Sequence, residues 1–266
     1  LYPKSFAMKR IEHLFQSKLS DILTIYFTAG YPKLDDTVSI ITALDNAGVD
    51  LIEIGIPYSD PLADGQTIQK SSQISLKNGM NLNLLFMQLT EARKKSDIPM
   101  VMMGYYNQVL QYGIESFCQE ANSAGVDGLI IPDLPLEEYY TVCKKYFDQY
   151  NLSCTFLITP SSSDKRILAL DQASSGFLYA VSSHSITGGS PAKSLEDYGQ
   201  RLSTLNLTTP IQVGFGIKDS RSFETACSIG QGGIIGSAFI EAIAAEGELQ
   251  YKIKQFIHRI NKKARL

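Results

Sequence analysis

Eight short apolar runs, separated by stretches with helical apolar spacing, predict an α/β fold for this chain of 266 residues: a single (β/α)8, or TIM, barrel. Two further observations point the same way. The runs are apolar on both faces, as parallel strands covered by helices must be. The helix-to-strand phrase Ala47-Gly48-Val49-Asp50 also returns as Ala124-Gly125-Val126-Asp127. That repeat marks one αβ turn used twice, in which glycine ends a helix in the left-handed conformation and a strand follows. An open doubly wound sheet fits less well, because the first strand runs into Thr28-Ala29-Gly30-Tyr31-Pro32, which is no G-x-G-x-x-G fingerprint.

The elements follow in order. The first strand is expected at 23–28, and Val38, Ile41 and Leu44 then set a helix that stops at Gly48. The second strand, 50–55, leads into a long connection from 57 to about 69. Leu84, Leu85, Met87 and Leu89 through Ala92 mark a helix before the third strand, 100–103. Ile114, Phe117 and Ala121 mark another, closed by Gly125, before the fourth, 128–131. The remaining strands are expected at 155–159, 177–181, 211–214 and 233–236, with a second long connection from 182 to about 195. Both long loops follow strand C-termini, the face where barrel enzymes keep their chemistry, and are lid candidates. Near the C-terminus, basic residues alternate with Ile253, Phe256, Ile257 and Ile260 at helical spacing, as in a packed, solvated helix. Residues 8–266 thus read as one barrel domain, with 1–7 a patternless N-terminal extension.

Composition narrows the function classes. Net charge is −3, so no basic surface is expected to recruit nucleic acid or anionic membrane. Cys118, Cys143, Cys154 and Cys227 form no C-x-x-C pair and read as reduced, buried thiols. No apolar run reaches the roughly 18 residues a spanning helix needs, and no signal-peptide pattern is present, so a cytoplasmic chain is expected. His13 and His258 fall in terminal helical segments and read as surface residues. His184 lies in the loop after the sixth strand, and nothing clusters as metal ligands do.

The stretch 51–65, Leu-Ile-Glu-Ile-Gly-Ile-Pro-Tyr-Ser-Asp-Pro-Leu-Ala-Asp-Gly, is the most informative. It puts Glu53 inside a buried strand and Asp60 and Asp64 in the following loop. A buried carboxylate is costly unless paired, protonated or used. None of the strand runs holds a basic residue, so Glu53 reads as a proton-transfer group of raised pKa. Asp64, before Gly65, fits a second catalytic acid or an Asx turn equally well. Asp60, before Pro61, fits a turn or cap acid at a surface contact. Gly214-Phe215-Gly216, Gly236-Ser237 and Gly188-Gly189 follow the seventh, eighth and sixth strands. Glycines there let backbone N–H groups approach an anion, and a helix N-terminus adds a favourable dipole, so a phosphate site needing no basic side chain is expected. Tyr105, Asn107, Asp133 and Tyr179 fall at or near other strand ends on the same face. No lysine sits in a strand core or ends a strand, which argues against a Schiff-base aldolase.

On these residues the chain resembles the tryptophan synthase alpha chain family, from about Met8 to its C-terminus. The 51–65 stretch carries most of the likeness. Tyr105-Tyr106-Asn107, Asp133-Leu134-Pro135, Gly214-Phe215-Gly216-Ile217 and Gly236-Ser237-Ala238 support it in family order. The resemblance implies a lyase that cleaves indole-3-glycerol phosphate into indole and glyceraldehyde 3-phosphate. The indole would pass to a pyridoxal-phosphate (PLP)-dependent beta chain in an alpha2-beta2 heterotetramer, with no cofactor in this chain. It further implies that Glu53 shuttles protons and that Asp64 binds the indole N–H. Tyr26, Ile68, Met103, Tyr105, Ile130, Tyr179, Thr187 and Phe215 would bind substrate, and Gly188, Gly216, Gly236 and Ser237 its phosphate. Pro57, Asp60, Asn107 and Pro135 would face the beta chain. The chain departs from the family at Tyr26, usually Phe-like, at Gln66, usually Pro, and at Ser185, often Gly. Two other readings stay open: another phosphosugar barrel enzyme, and a non-catalytic or weakly active allosteric partner of the beta chain.

Overall fold

The computed structural model describes residues 9–61, 64–181, 195–214 and 216–260. Its eight strands are β1 (Ile22–Thr28), β2 (Leu51–Gly55), β3 (Met100–Met103), β4 (Gly128–Ile130), β5 (Ser153–Ile158), β6 (Leu178–Val181), β7 (Ile211–Gly214) and β8 (Gly232–Ile235). They close in sequence order, each parallel to the next, and β8 returns to pair with β1. All but two strand residues of β1–β6, Met103 and Leu157, are buried, which is why these runs show no polar alternation.

The helices pack outside this barrel. They are α1 (Arg10–Ser17), α2 (Asp36–Asn46), α3 (Gln66–Lys77), α4 (Leu82–Arg93), α5 (Tyr106–Tyr112), α6 (Ile114–Ser123) and α7 (Leu136–Glu138). A π turn over Tyr139–Cys143 runs into α8 (Lys144–Gln149). Then come α9 (Asp164–Ala173), α10 (Leu195–Thr204), α11 (Ser220–Ile229), α12 (Ser237–Ala244) and α13 (Leu249–Ile260).

The repeated Ala-Gly-Val-Asp phrase makes the same joint twice. Gly48 and Gly125 end their helices at φ +81° and +80°, conformations that favour glycine. Asp50 then accepts from the backbone N–H of Leu23 at 2.8 Å and from Lys18 Nζ at 2.6 Å. Asp127 accepts from the N–H of Met100 at 2.9 Å, from Arg93 Nη2 at 2.9 Å and from Arg10 Nη1 at 3.0 Å. Each aspartate precedes one strand and accepts from an amide at the start of the strand before it, Leu23 in β1 and Met100 in β3, so the lower rim is closed by charge-assisted hydrogen bonds.

Three expectations are corrected. The connection after β2 ends at Gly65 rather than near Gln69, because extended Gly65 caps α3 and Gln66 is already helical. Met87 is exposed; the buried face of α4 is Leu85, Phe86, Leu89 and Ala92. His258 is half-buried, and its Nδ1 lacks a partner among the described residues. Cys118, Cys143 and Cys154 are buried and Cys227 half-buried, all with free thiols. The loop after β6, with His184 and Ser185, and residues 1–7 lie outside the described residues. Among those described, no helix is long and apolar enough to cross a membrane, and no group of His, Cys, Asp and Glu could hold a metal ion.

Candidate active site

Parallel register places the key side chains. Tyr26 on β1 is the Cα partner of Glu53 on β2, so both point to the same side of the sheet. Both line a cavity of about 270 Å³, together with Asp64, Ile68, Met103 and Tyr179. Gly216, Ile217, Lys218, Ile234, Gly236, Ser237, Ala238 and Glu241 complete its described lining.

Glu53 is 1% exposed, and neither carboxyl oxygen has a hydrogen-bond partner among the described residues. Burial, and secondarily the charge of Asp64, push its pKa up to about 8. It therefore rests protonated near neutral pH, yet close enough to its pKa to give and retake a proton. Asp64 is half-buried on the loop between β2 and α3. Burial raises its pKa, and a hydrogen bond with Tyr105 opposes that rise. Gln69 Nε2 donates to the Asp64 carbonyl oxygen at 2.7 Å, tying the loop to the first turn of α3. That tie holds the loop although Gln66, at the first helical position, lacks the fixed φ of a proline.

Two tyrosines floor the cavity. Tyr26 and Tyr179 lie over Gly55 and Gly214, where an added Cβ would overlap their rings. Burial raises both phenol pKa values, so both hydroxyls stay neutral. The Tyr26 hydroxyl hydrogen-bonds Thr28. Thr28 Oγ1 lies 2.6 Å from Ser71 Oγ, and Ser71 donates to the Ile68 carbonyl at 2.8 Å. One proton per hydroxyl fixes the direction. Ser71 gives its proton to Ile68 and Thr28 gives its own to Ser71, so Tyr26 donates to Thr28.

Opposite this acidic wall, α12 begins at Ser237 directly after Gly236. The N–H groups of Ser237 and Ala238 precede the helical ladder, which begins with the bonds from the Phe239 and Ile240 N–H groups to the Gly236 carbonyl, and they favour an anion. Gly216, at φ +78°, brings the loop after β7 to the same cavity.

Most of the expected site residues are thus brought together, but not all. Ile130 is fully buried in β4 and outside the cavity lining; its carbonyl accepts from the Gly104 N–H at 3.1 Å. Tyr105 reaches the site through Asp64 rather than as described lining. Thr187, Gly188 and Phe215 lie outside the described residues. Pro57 and Asn107 share a separate groove with Tyr58 and Gln108. There Asn107 Nδ2 donates to the Tyr58 hydroxyl at 3.2 Å and Gln108 Nε2 to the Pro57 carbonyl at 3.0 Å. Asp60 is exposed and accepts from Ser59 Oγ at 2.6 Å, and Pro135 caps α7. Sequence reasoning missed Lys218 and Glu241. Their only signal was spacing, two residues after Gly216 and four after Ser237.

The family model described as "Tryptophan synthase alpha chain" matches residues 14–265. A tryptophan synthase alpha chain of Christiangramia forsetii is 50% identical over 242 residues, covering 90% of this chain and 94% of its own. That of Flavobacterium johnsoniae is 49% identical over 255 residues, covering 95% and 100%. A solved Mycobacterium tuberculosis tryptophan synthase superposes with a TM-score of 0.86 at 30% identity, covering 98% of this chain and all of that one. A closed barrel with a buried acid in a glycine-edged cavity fits what those matches say: the chain belongs to the tryptophan synthase alpha chain family.

Proposed function

We propose that Glu53 and Asp64 carry out the retro-aldol cleavage of indole-3-glycerol phosphate in this cavity. The reaction moves one proton from a glycerol hydroxyl to indole C3 as the bond between them breaks. Glu53, protonated at rest, gives its proton to C3, which places positive charge on the ring nitrogen. Asp64 opposes that charge at the N–H, stabilising what exists only after the reaction has begun. The carbon–carbon bond then breaks, its electron pair returns to the ring, and the Glu53 carboxylate takes the hydroxyl proton as the aldehyde forms. Tyr26, Ile68, Met103, Tyr105, Tyr179, Thr187 and Phe215 bind the substrate, and the amides at Gly188, Gly216, Gly236 and Ser237 hold its phosphate. Residues 8–266 form one barrel domain of a cytoplasmic alpha2-beta2 assembly. In it Pro57, Asp60, Asn107 and Pro135 meet a beta chain that carries the pyridoxal phosphate, and this chain needs no cofactor.

The observation that carries this reading is the buried Glu53 carboxyl inside the cavity, without a hydrogen-bond partner among the described residues. Glu53→Gln keeps the shape and removes the transferable proton. It should fold, bind sn-glycerol 3-phosphate normally and lose cleavage by about 10²-fold or more. Near-normal turnover would remove Glu53 from the mechanism.

A further inference from the structure

Three acidic side chains, the protonated Glu53 together with Asp64 and Glu241, line the cavity, and among the described residues Lys218 is the one basic side chain that does. A dianionic phosphate ester bound there shares the cavity with the Asp64 and Glu241 acids. The amides at Gly216, Gly236 and Ser237 offer partial positive charge, but none of them offsets a full carboxylate. Lys218 is held where a cation is needed. Its backbone N–H donates to Ser222 Oγ at 3.0 Å, and Ser222 belongs to the capping box that Asp219 forms at the start of α11. Its ammonium forms no salt bridge among the described residues. Glu241 is fixed on another edge, one turn into α12, where it accepts from Thr67 Oγ1 at 3.1 Å at the start of α3.

We propose that Lys218 is a substrate-binding residue that supplies the full positive charge for the phosphate, and that Glu241 opposes it across the mouth, so that the pair sets the affinity for phosphate esters. The proposal rests on the cavity being the phosphate-ester site. The two side chains then act with opposite sign on a dianion and not at all on a neutral ligand.

The test uses the full chain and three probes: indole-3-glycerol phosphate for turnover, sn-glycerol 3-phosphate as competitive inhibitor, and indole as the phosphate-free control. At low ionic strength Lys218→Gln should raise KM and the inhibitor Ki about three- to tenfold and leave kcat within about twofold. Lys218→Arg should restore both constants. Glu241→Gln, which still accepts from Thr67, should lower Ki. All three effects should shrink in concentrated salt, and indole affinity should not move. An unchanged Ki in Lys218→Gln, or a parallel loss of indole affinity, overturns the proposal. The reading of the whole cavity fails separately, when the unmodified chain neither cleaves the substrate nor binds sn-glycerol 3-phosphate.

Discussion

A carboxyl that rests protonated can begin a reaction only as an acid. Glu53 has that state because no described group solvates its charge and Asp64 opposes it. As pH rises through about 8, the free protein loses the proton that the proposed mechanism donates, so kcat/KM should fall there. Asp64→Asn removes the second cause of the shift, so the residual activity of that variant should show its alkaline limb at lower pH. A limb that stays in place would assign it to another group. Tyr26 supports a smaller prediction. Its proton goes to Thr28, so Tyr26→Phe leaves one buried hydroxyl short of a donor and should cost about 0.5–1.5 kcal/mol in urea unfolding. Glu53 was legible in the sequence because one charged letter interrupts an apolar run and no basic letter stands in any strand to pair it. Lys218 was not legible. An exposed lysine after a glycine looks like any loop lysine until the chain is folded around the cavity mouth.

The strands were legible to within a residue or two, because burial on both faces writes an uninterrupted apolar run. The loop carrying Asp64 was misjudged because Asp-Gly spells a turn, and only coordinates show Gly65 serving as the cap of α3. The Ala-Gly-Val-Asp turns were recognised as a repeat, but the task of their aspartates was not. Asp127 ties one amide and two guanidinium groups, with the Arg93 side chain 13% exposed and its own 7% exposed. Asp50 ties one amide and Lys18, whose side chain is 35% exposed. Removing the more buried hub strands more charge. Asp127→Ala should therefore cost about 2–4 kcal/mol and Asp50→Ala clearly less, measured by denaturant midpoints at constant m. Equal losses would mean that the shared backbone bond, rather than the ion pairs, is what the two turns contribute.

Closing eight strands into a barrel brings the acid of β2, the loop of β7 and the helix after β8 to one cavity, although they are far apart in the chain. The same closure makes the buried Glu53 a burden on the whole fold. An unfolded chain ionises Glu53 near the ordinary value of 4.5, whereas the folded chain holds the proton up to about 8. Between those limits the folded state binds one more proton than the unfolded state, so stability falls as pH rises. The slope is on the order of 1 kcal/mol per pH unit and acts only inside that window, so the stability is whole below it and reduced above it. Glutamine carries no proton to lose. Glu53→Gln should thus gain little stability at about pH 5 and several degrees in melting temperature at about pH 8, the variant being inactive throughout. The comparison is internal to each pH, so other titrating groups cancel between the two proteins. A gain of equal size at both ends would mean that Glu53 is already ionised and solvated in the native barrel, and with that the proton-donor role would go as well.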